Sequence, residues 1–360
     1  MKKEKSIGKI LSQYSYVFVF LLILVAYAYT VNANGNTFKF SHIASILGSQ
    51  NTVIIGTIAL GMAFIIITGQ IDLSVGSSLV LCTGASICVF NLTGSVFLML
   101  LAAIVSGCIC GGINGLLVGL GKMPPFVVTL GTMLIYRSLT LTVVRKIDPA
   151  ISGSSSSQFA LISKLPKYQA FHMKFGVGKL KIFGNFSIPY IFFVFLGIAI
   201  LFILISKKTK YGKSIYAVGS NEKSARLAGI NVTWTKISCF ILIGALVGVA
   251  SFLQAAKIGN VTPASSGQSY EMYAIASVVL AGVNMAGGRG EILGVIFGAL
   301  SYTTISFIIT SLGLSVDIQD TFQGLVLIIV ILIQTAGPAV KESIVRSRKR
   351  RLSASAKSGK

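Results

Sequence analysis

Long apolar runs separated by short polar stretches dominate this chain. They lie at approximately 14–32, 51–69, 76–92, 95–120, 124–144, 188–206, 237–257, 271–286, 291–311 and 321–338. Crossing a hydrocarbon layer of about 30 Å takes roughly 20 apolar residues in a helix. Within that layer the backbone must satisfy its own hydrogen bonds, and a helix does so inside one segment. The pattern therefore predicts an all-α polytopic membrane protein with about ten transmembrane helices. The shorter runs, 76–92 and 271–286, are expected to be broken or tilted. Composition closes the soluble alternatives. Of 360 residues, 54% are hydrophobic and 11% are charged, whereas soluble domains carry about 25% charged residues.

Basic residues set the orientation. With the N-terminus inside and the spans alternating, 21 of the 31 Lys and Arg residues fall on the inside, as anionic lipid and resistance to translocation demand. Both termini are then cytoplasmic. The same rule explains the net charge of +22 without nucleic acid. One segment runs against it: 145–187 carries Arg145, Lys146, Lys164, Lys167, Lys174, Lys179 and Lys181, yet falls outside. Long loops cross with less regard for charge, and moving this one inside would strand the basic stretch 207–236 outside. A short amphipathic helix is expected near 158–165. The run 16–31 lacks a small-residue cleavage site and reads as a retained span, not a signal peptide. Residues 1–340 form a single membrane domain, and the tail 341–360, with its Arg-Ser-Arg-Lys-Arg-Arg run, is expected to be disordered at the lipid surface.

Conventional catalytic and metal chemistry is not encoded. The five cysteines lie in apolar runs, and with two histidines they form no zinc-site spacing. Gly212-Lys213-Ser214 resembles the end of a phosphate-binding loop, but Lys207 stands where its first glycine belongs. No cofactor is expected in this chain, and no catalytic or metal site.

Three polar segments interrupt the apolar pattern. Asp72 and Ser74, in Ile71-Asp72-Leu73-Ser74-Val75-Gly76, sit between two spans. A carboxylate there can cap the next helix, or it can lie on a pathway, since acids inside a bilayer are costly. The stretch 207–236 holds Asn221, placed to cap a helix that starts at Glu222. Glu222 and Arg226 stand at i, i+4, Leu227 and Ile230 give an apolar edge, and Gly229 is placed to end the helix. It is either an interfacial connector or a handle for a soluble partner. Glu271 opens the eighth run, and Gly287-Gly288-Arg289-Gly290-Glu291 reads as a tight turn. Within the fourth run Gly107, Gly111, Gly115 and Gly119 recur at every fourth residue, a stripe that lets helices approach closely. Asn114 shares that span, either as interhelical glue or as a pathway residue. The stretches 56–120 and 273–311 share a weak likeness, of the kind left by inverted repeats.

Four segments together resemble the permease subunits of ribose-type ATP-binding-cassette importers of simple sugars. They are TGQIDLSVGS at 68–77, PPFVVTLGTM at 124–133, VGSNEKSARLAGINV at 218–232 and SYEMYAIASVVLAGVNMAGGRGEILGVIFGAL at 269–300, and the likeness runs from about 50 to 337. It implies a helical bundle in the bacterial cytoplasmic (inner) membrane, working as a homo- or heterodimer. Its partners would be two ATPase subunits, which hydrolyse the ATP, and an extracytoplasmic solute-binding protein. By the same resemblance 219–230 is the coupling segment, so Asn221, Glu222, Ala225, Arg226, Leu227, Gly229 and Ile230 would meet the ATPase. Asp72, Ser74, Asn114 and Glu271 would line the translocation pathway. The segment 145–187 departs from the family by being longer and more basic. Alternatives are a stand-alone secondary carrier for a small polar solute, which would need an ionisable relay such as Asp72, Arg137 or Glu271, and a membrane scaffold or receptor. A related permease for an autoinducer-like furanoside or a nucleoside is also compatible.

Overall fold

The computed structural model describes residues 14–154, 157–162, 166–183 and 186–314, with scattered positions between 318 and 332. Contacts divide the chain into Met1–Gly313 and Leu314–Lys360. The expected tenth span, 321–338, lies largely outside the described residues, and the basic tail 341–360 lies wholly outside them.

The first unit opens with α1 (Ser15–Ala33), α2 (Phe40–Leu47), a π-helical turn (Asn51–Ile55) and α3 (Gly56–Ile67). Then come α4 (Val75–Thr93), α5 (Val96–Gly119), α6 (Pro125–Lys146) and the single turn α7 (Pro149–Ser152). A less regular stretch holds β1 (Phe159–Ala160), α8 (Pro166–Phe171), a second π-helical turn (His172–Gly176), β2 (Lys179–Phe183) and β3 (Phe186–Pro189). The remainder is α9 (Tyr190–Lys208), α10 (Lys210–Ser220), α11 (Glu222–Leu227), α12 (Val232–Ile258), β4 (Asn260–Val261), α13 (Tyr270–Leu280) and α14 (Ile292–Ser311).

Among the described residues seven helices are long and apolar enough to cross a bilayer: α1, α4, α5, α6, α9, α12 and α14. α2 and α3 with its π-turn, bent by 45°, make an eighth if the pair is one span. The run predicted at 51–69 is thus preceded by a further helix, Phe40–Leu47. Of the two runs expected to be broken or tilted, 76–92 is instead one continuous helix, Val75–Thr93, whereas 271–286 is indeed broken. Only Tyr270–Leu280 is helical, about 16 Å at 1.5 Å per residue and half a bilayer. Gly282, at φ +81°, turns the chain out of the helix immediately afterwards. The expected helix near 158–165 is likewise replaced at its start by a strand, because Phe159–Ala160 pairs antiparallel with Asn260–Val261. Asn91 holds that arrangement. Its amide donates to the Ile151 and Ala160 carbonyls, both at 2.9 Å, and accepts from the Ile162 N–H at 3.1 Å.

α3 is buried at every position, as a helix apolar on all faces should be. It packs against α9, α12, α13 and α14. The outward faces of α1, α5 and α6 present Leu22, Val25, Phe97, Ile109, Leu134 and Ile135, suited to lipid. α5 and α12 form the tightest seam. A side chain at Gly107 would overlap the Gly244 carbonyl, one at Gly111 the Phe240 carbonyl, and one at Gly248 the Ala103 carbonyl. The stripe read from the sequence is therefore a backbone-to-backbone contact. The β1–β4 pair places residues 159–160 on the same side as the end of α12. The 207–236 stretch meets the Gly287–Gly290 turn on the other side.

Candidate functional site

At the basic end of the bundle, three residues with short polar side chains punctuate the chain. The Thr209 hydroxyl accepts from Gly212 N–H at 3.0 Å and starts α10. The Asn221 side chain accepts from Ser224 N–H at 2.9 Å and starts α11. The Asn231 side chain accepts from Trp234 N–H at 2.9 Å and starts α12. Each satisfies an otherwise orphaned donor in the first turn. Gly229, at φ +80°, reverses the chain between α11 and α12. Ala225 is buried with Val218 and Val232, and Ile230 packs against that cluster. Leu227, in contrast, is 90% exposed, so Leu227 and Ile230 do not share one edge: Ile230 anchors the segment and Leu227 points away from it. Glu222 bridges Arg226 at 3.5 Å and, more closely, Lys236 at 2.9 Å. The second bridge, which the i, i+4 spacing could not show, ties α11 to α12.

The end of α10 is wedged into the bundle at Gly219. A Cβ there would overlap the Ile67 carbonyl at the end of α3 and crowd the Gly288 N–H. Gly288 N–H in turn donates to the Ile67 carbonyl at 2.8 Å. The Tyr216 hydroxyl donates to the Gly290 carbonyl at 2.9 Å. Burial, with Glu291 nearby, raises the Tyr216 pKa and keeps that donor protonated. Gly287 and Gly288 are left-handed at φ +86° and +72°, where a Cβ would be strained. The Gly-Gly-Arg-Gly turn is thus a turn with a second duty: it presents backbone to α10 and α3 together.

The polar interruption near Asp72 lies between α3 and α4 and is deeply buried. Asp72 Oδ1 accepts from Ser74 N–H at 2.8 Å and from the Ser74 hydroxyl at 2.7 Å. The Asn114 amide of α5 donates to the Ser74 hydroxyl at 2.8 Å. All three residues are buried. Asp72 is therefore placed to shape the break just before α4, and Asn114 is fastened to it. Glu271 comes in from α13: its Oε2 lies 2.8 Å from where a Cβ on Gly76 would stand. The structure thus brings all four candidate pathway residues to the start of α4. Arg137 of α6 donates to the Pro263 and Ser266 carbonyls at 2.7 and 2.6 Å, holding the loop that leads into α13. Gln70 escaped the sequence reading. Its side-chain oxygen and nitrogen are buried with no partner, as is Asn114 Oδ1, among the described residues. Such orphans cost about 1–3 kcal/mol each and are rare in native interiors. The only sequence signal for Gln70 was a polar residue beside a break between two apolar runs.

The Asp72 geometry makes a prediction. Asp72→Asn keeps an oxygen acceptor for Ser74 and should accumulate in the membrane near normally. Asp72→Ala strands the buried Ser74 N–H, at about 1–3 kcal/mol, and should accumulate at a lower level. The amount of inserted protein reads the difference; an Asn variant as depleted as the Ala variant would show that the charge itself is required.

Comparison with known proteins supplies the context for this arrangement. Residues 43–331 match the family described as the branched-chain amino acid transport system permease component. The ribose import permease protein of Bacillus subtilis is 37% identical over 279 residues, 77% of this chain and 80% of the relative. The xylose transport system permease protein of Haemophilus influenzae is 32% identical, over 80% of this chain and 87% of the relative. The galactose/methyl galactoside import permease protein of Escherichia coli is 28% identical, over 84% and 88%. No solved structure gives a significant match.

Proposed function

The chain belongs to the branched-chain amino acid transport system permease family, one of transport permeases and not of enzymes, and from that premise we propose that it is the membrane-spanning subunit of an ATP-driven importer for a simple sugar, a ribose-like pentose or a hexose. The relatives named as ribose, xylose and galactose permeases support the solute class. In this reading the chain sits in the bacterial cytoplasmic membrane, with the 207–236 segment inside and 145–187 outside. It pairs with a second permease subunit and with two ATPase subunits that hydrolyse the ATP, and it receives the sugar from an extracytoplasmic binding protein.

The observation that carries this reading is the wedge at Gly219. The end of α10 contacts the end of α3 and the turn after α13. α3 leads into the break that holds Asp72 and Ser74, and α13 is the short helix whose first turn holds Glu271. A push on Asn221, Glu222, Ala225, Arg226 and Leu227 from an ATPase would pass through Gly229, Ile230 and Gly219 to the end of α3 and the turn after α13. The spans then have two arrangements, and nucleotide binding by the partner selects between them. Asp72, Ser74, Asn114 and Glu271 line the path in this reading. The orphaned amide atoms of Gln70 and Asn114 supply hydrogen-bonding capacity that a sugar hydroxyl could use.

Proteoliposomes holding the chain with its ATPase and binding protein should accumulate labelled ribose, xylose or galactose only when ATP is present. Arg226→Glu breaks the bridge to Glu222 and reverses a charge on the exposed face of α11. It should cut ATP-driven uptake by about tenfold or more, the scale of a disrupted interface charge, with insertion unchanged. Uptake that is independent of ATP and follows an ion gradient would replace this reading with a secondary carrier.

A further inference from the structure

A cleft of about 470 Å³ opens beside α11, and only one of its walls comes from the 207–236 stretch. Glu222, Arg226, Thr233 and Lys236 form that wall; the other is the turn between α5 and α6, with Lys122, Met123 and Pro124. This turn is built to project. Lys122 adopts a left-handed backbone, φ +52°, which is uncommon and strained for a residue with a side chain. Lys122, Met123 and Pro124 are all exposed. The charge in the cleft is unbalanced: Lys122, Arg226 and Lys236 face one carboxylate, and Glu222 is already shared between Arg226 and Lys236. Among the described residues Lys122 has no ion pair.

We propose that the α5–α6 turn is a second docking element for the ATPase subunit, which seats an acidic side chain in the cleft against Lys122 and Arg226 and covers Met123, Pro124 and Leu227. This rests on the importer reading above and extends it to a surface outside the 219–230 segment. Charge complementarity selects the occupant, because the unmatched cations call for a carboxylate, and the exposed apolar trio beside them needs a protein surface to cover it. The consequence is mechanical. α5 is locked to α12 through the glycine seam, and Asn114 of α5 holds Ser74. A partner that grips both walls of the cleft would move α11 and α5 together.

The test uses the full chain in nanodiscs and the purified ATPase subunit of the same importer, identified by its Walker motif and by stimulation of its ATP hydrolysis on adding the wild-type chain. Lys122→Glu should weaken binding by about tenfold, Lys122→Arg should bind as wild type, and a cysteine at 122 should crosslink to the ATPase. Thermal stability should be unchanged for both variants. If Arg226→Glu loses binding while Lys122→Glu does not, the second element is refuted and the importer reading stands. A Lys122→Glu defect seen only in discs containing phosphatidylglycerol, and not in phosphatidylcholine, would assign the cleft to a lipid phosphate and overturn the proposal. A wild-type chain that neither binds nor stimulates any such subunit removes the importer reading and this inference with it.

Discussion

Gly219→Ala is expected to abolish ATP-driven uptake while leaving the chain inserted in the membrane. The added Cβ would overlap the Ile67 carbonyl and press on the Gly288 N–H, so α10 must lift away from the end of α3 and the turn after α13. Both obstacles are backbone, and they cannot yield by changing a rotamer. Gly197→Ala, on the exposed face of α9, is the matched control. It places a side chain in open space within a helix, where alanine is the better helix former. If the wedge transmits the ATPase stroke, Gly219→Ala should lose at least about tenfold in uptake per inserted molecule, a change of roughly 1.4 kcal/mol in coupling, whereas Gly197→Ala should keep all of it. Equal uptake by Gly219→Ala and wild type would exclude the wedge as the route.

Two adjacent glycines on α5 should behave in opposite ways. A Cβ at Gly111 would overlap the Phe240 carbonyl and crowd Gly244 on α12, whereas one at Gly112 meets only Ile241, at 4.0 Å. Gly111→Ala should therefore open the α5–α12 seam and cost at least the 1–3 kcal/mol typical of overpacking. Gly112→Ala should be neutral or slightly stabilising, because alanine is the better helix former by about 0.8–1.0 kcal/mol. Melting followed by detergent-phase size exclusion would show the contrast. A lower midpoint for Gly112→Ala than for Gly111→Ala would contradict the geometry of the seam.

The sequence by itself determined what local chemistry determines. Long apolar runs marked where the helices lie, because each must span a bilayer and satisfy its own backbone. A polar residue before a helical start marked the cap at Asn221, because the first-turn donors need an acceptor close by in the chain. The four-residue spacing of Gly107, Gly111, Gly115 and Gly119 marked a contact face, because such positions stack along one side of a helix. Only the tertiary structure decided what meets what. Residues 271–286 form a run too short for a straight span, but only the fold sets where its helix stops, at Leu280, and docks the glycine turn that follows on α3 and α10. Residues 158–165 could have been helical, but a strand partner a hundred positions away claims Phe159–Ala160. Asp72, Ser74 and Asn114 were read one by one, and only the fold ties them into a single hydrogen-bonded chain. The same holds for the bond between Lys236 and Glu222 and for the space that Gly219 leaves to Ile67. Hydropathy and caps act within a few residues, whereas these contacts join segments far apart in the chain, and no local pattern carries the energy of a partner that folding has yet to bring near.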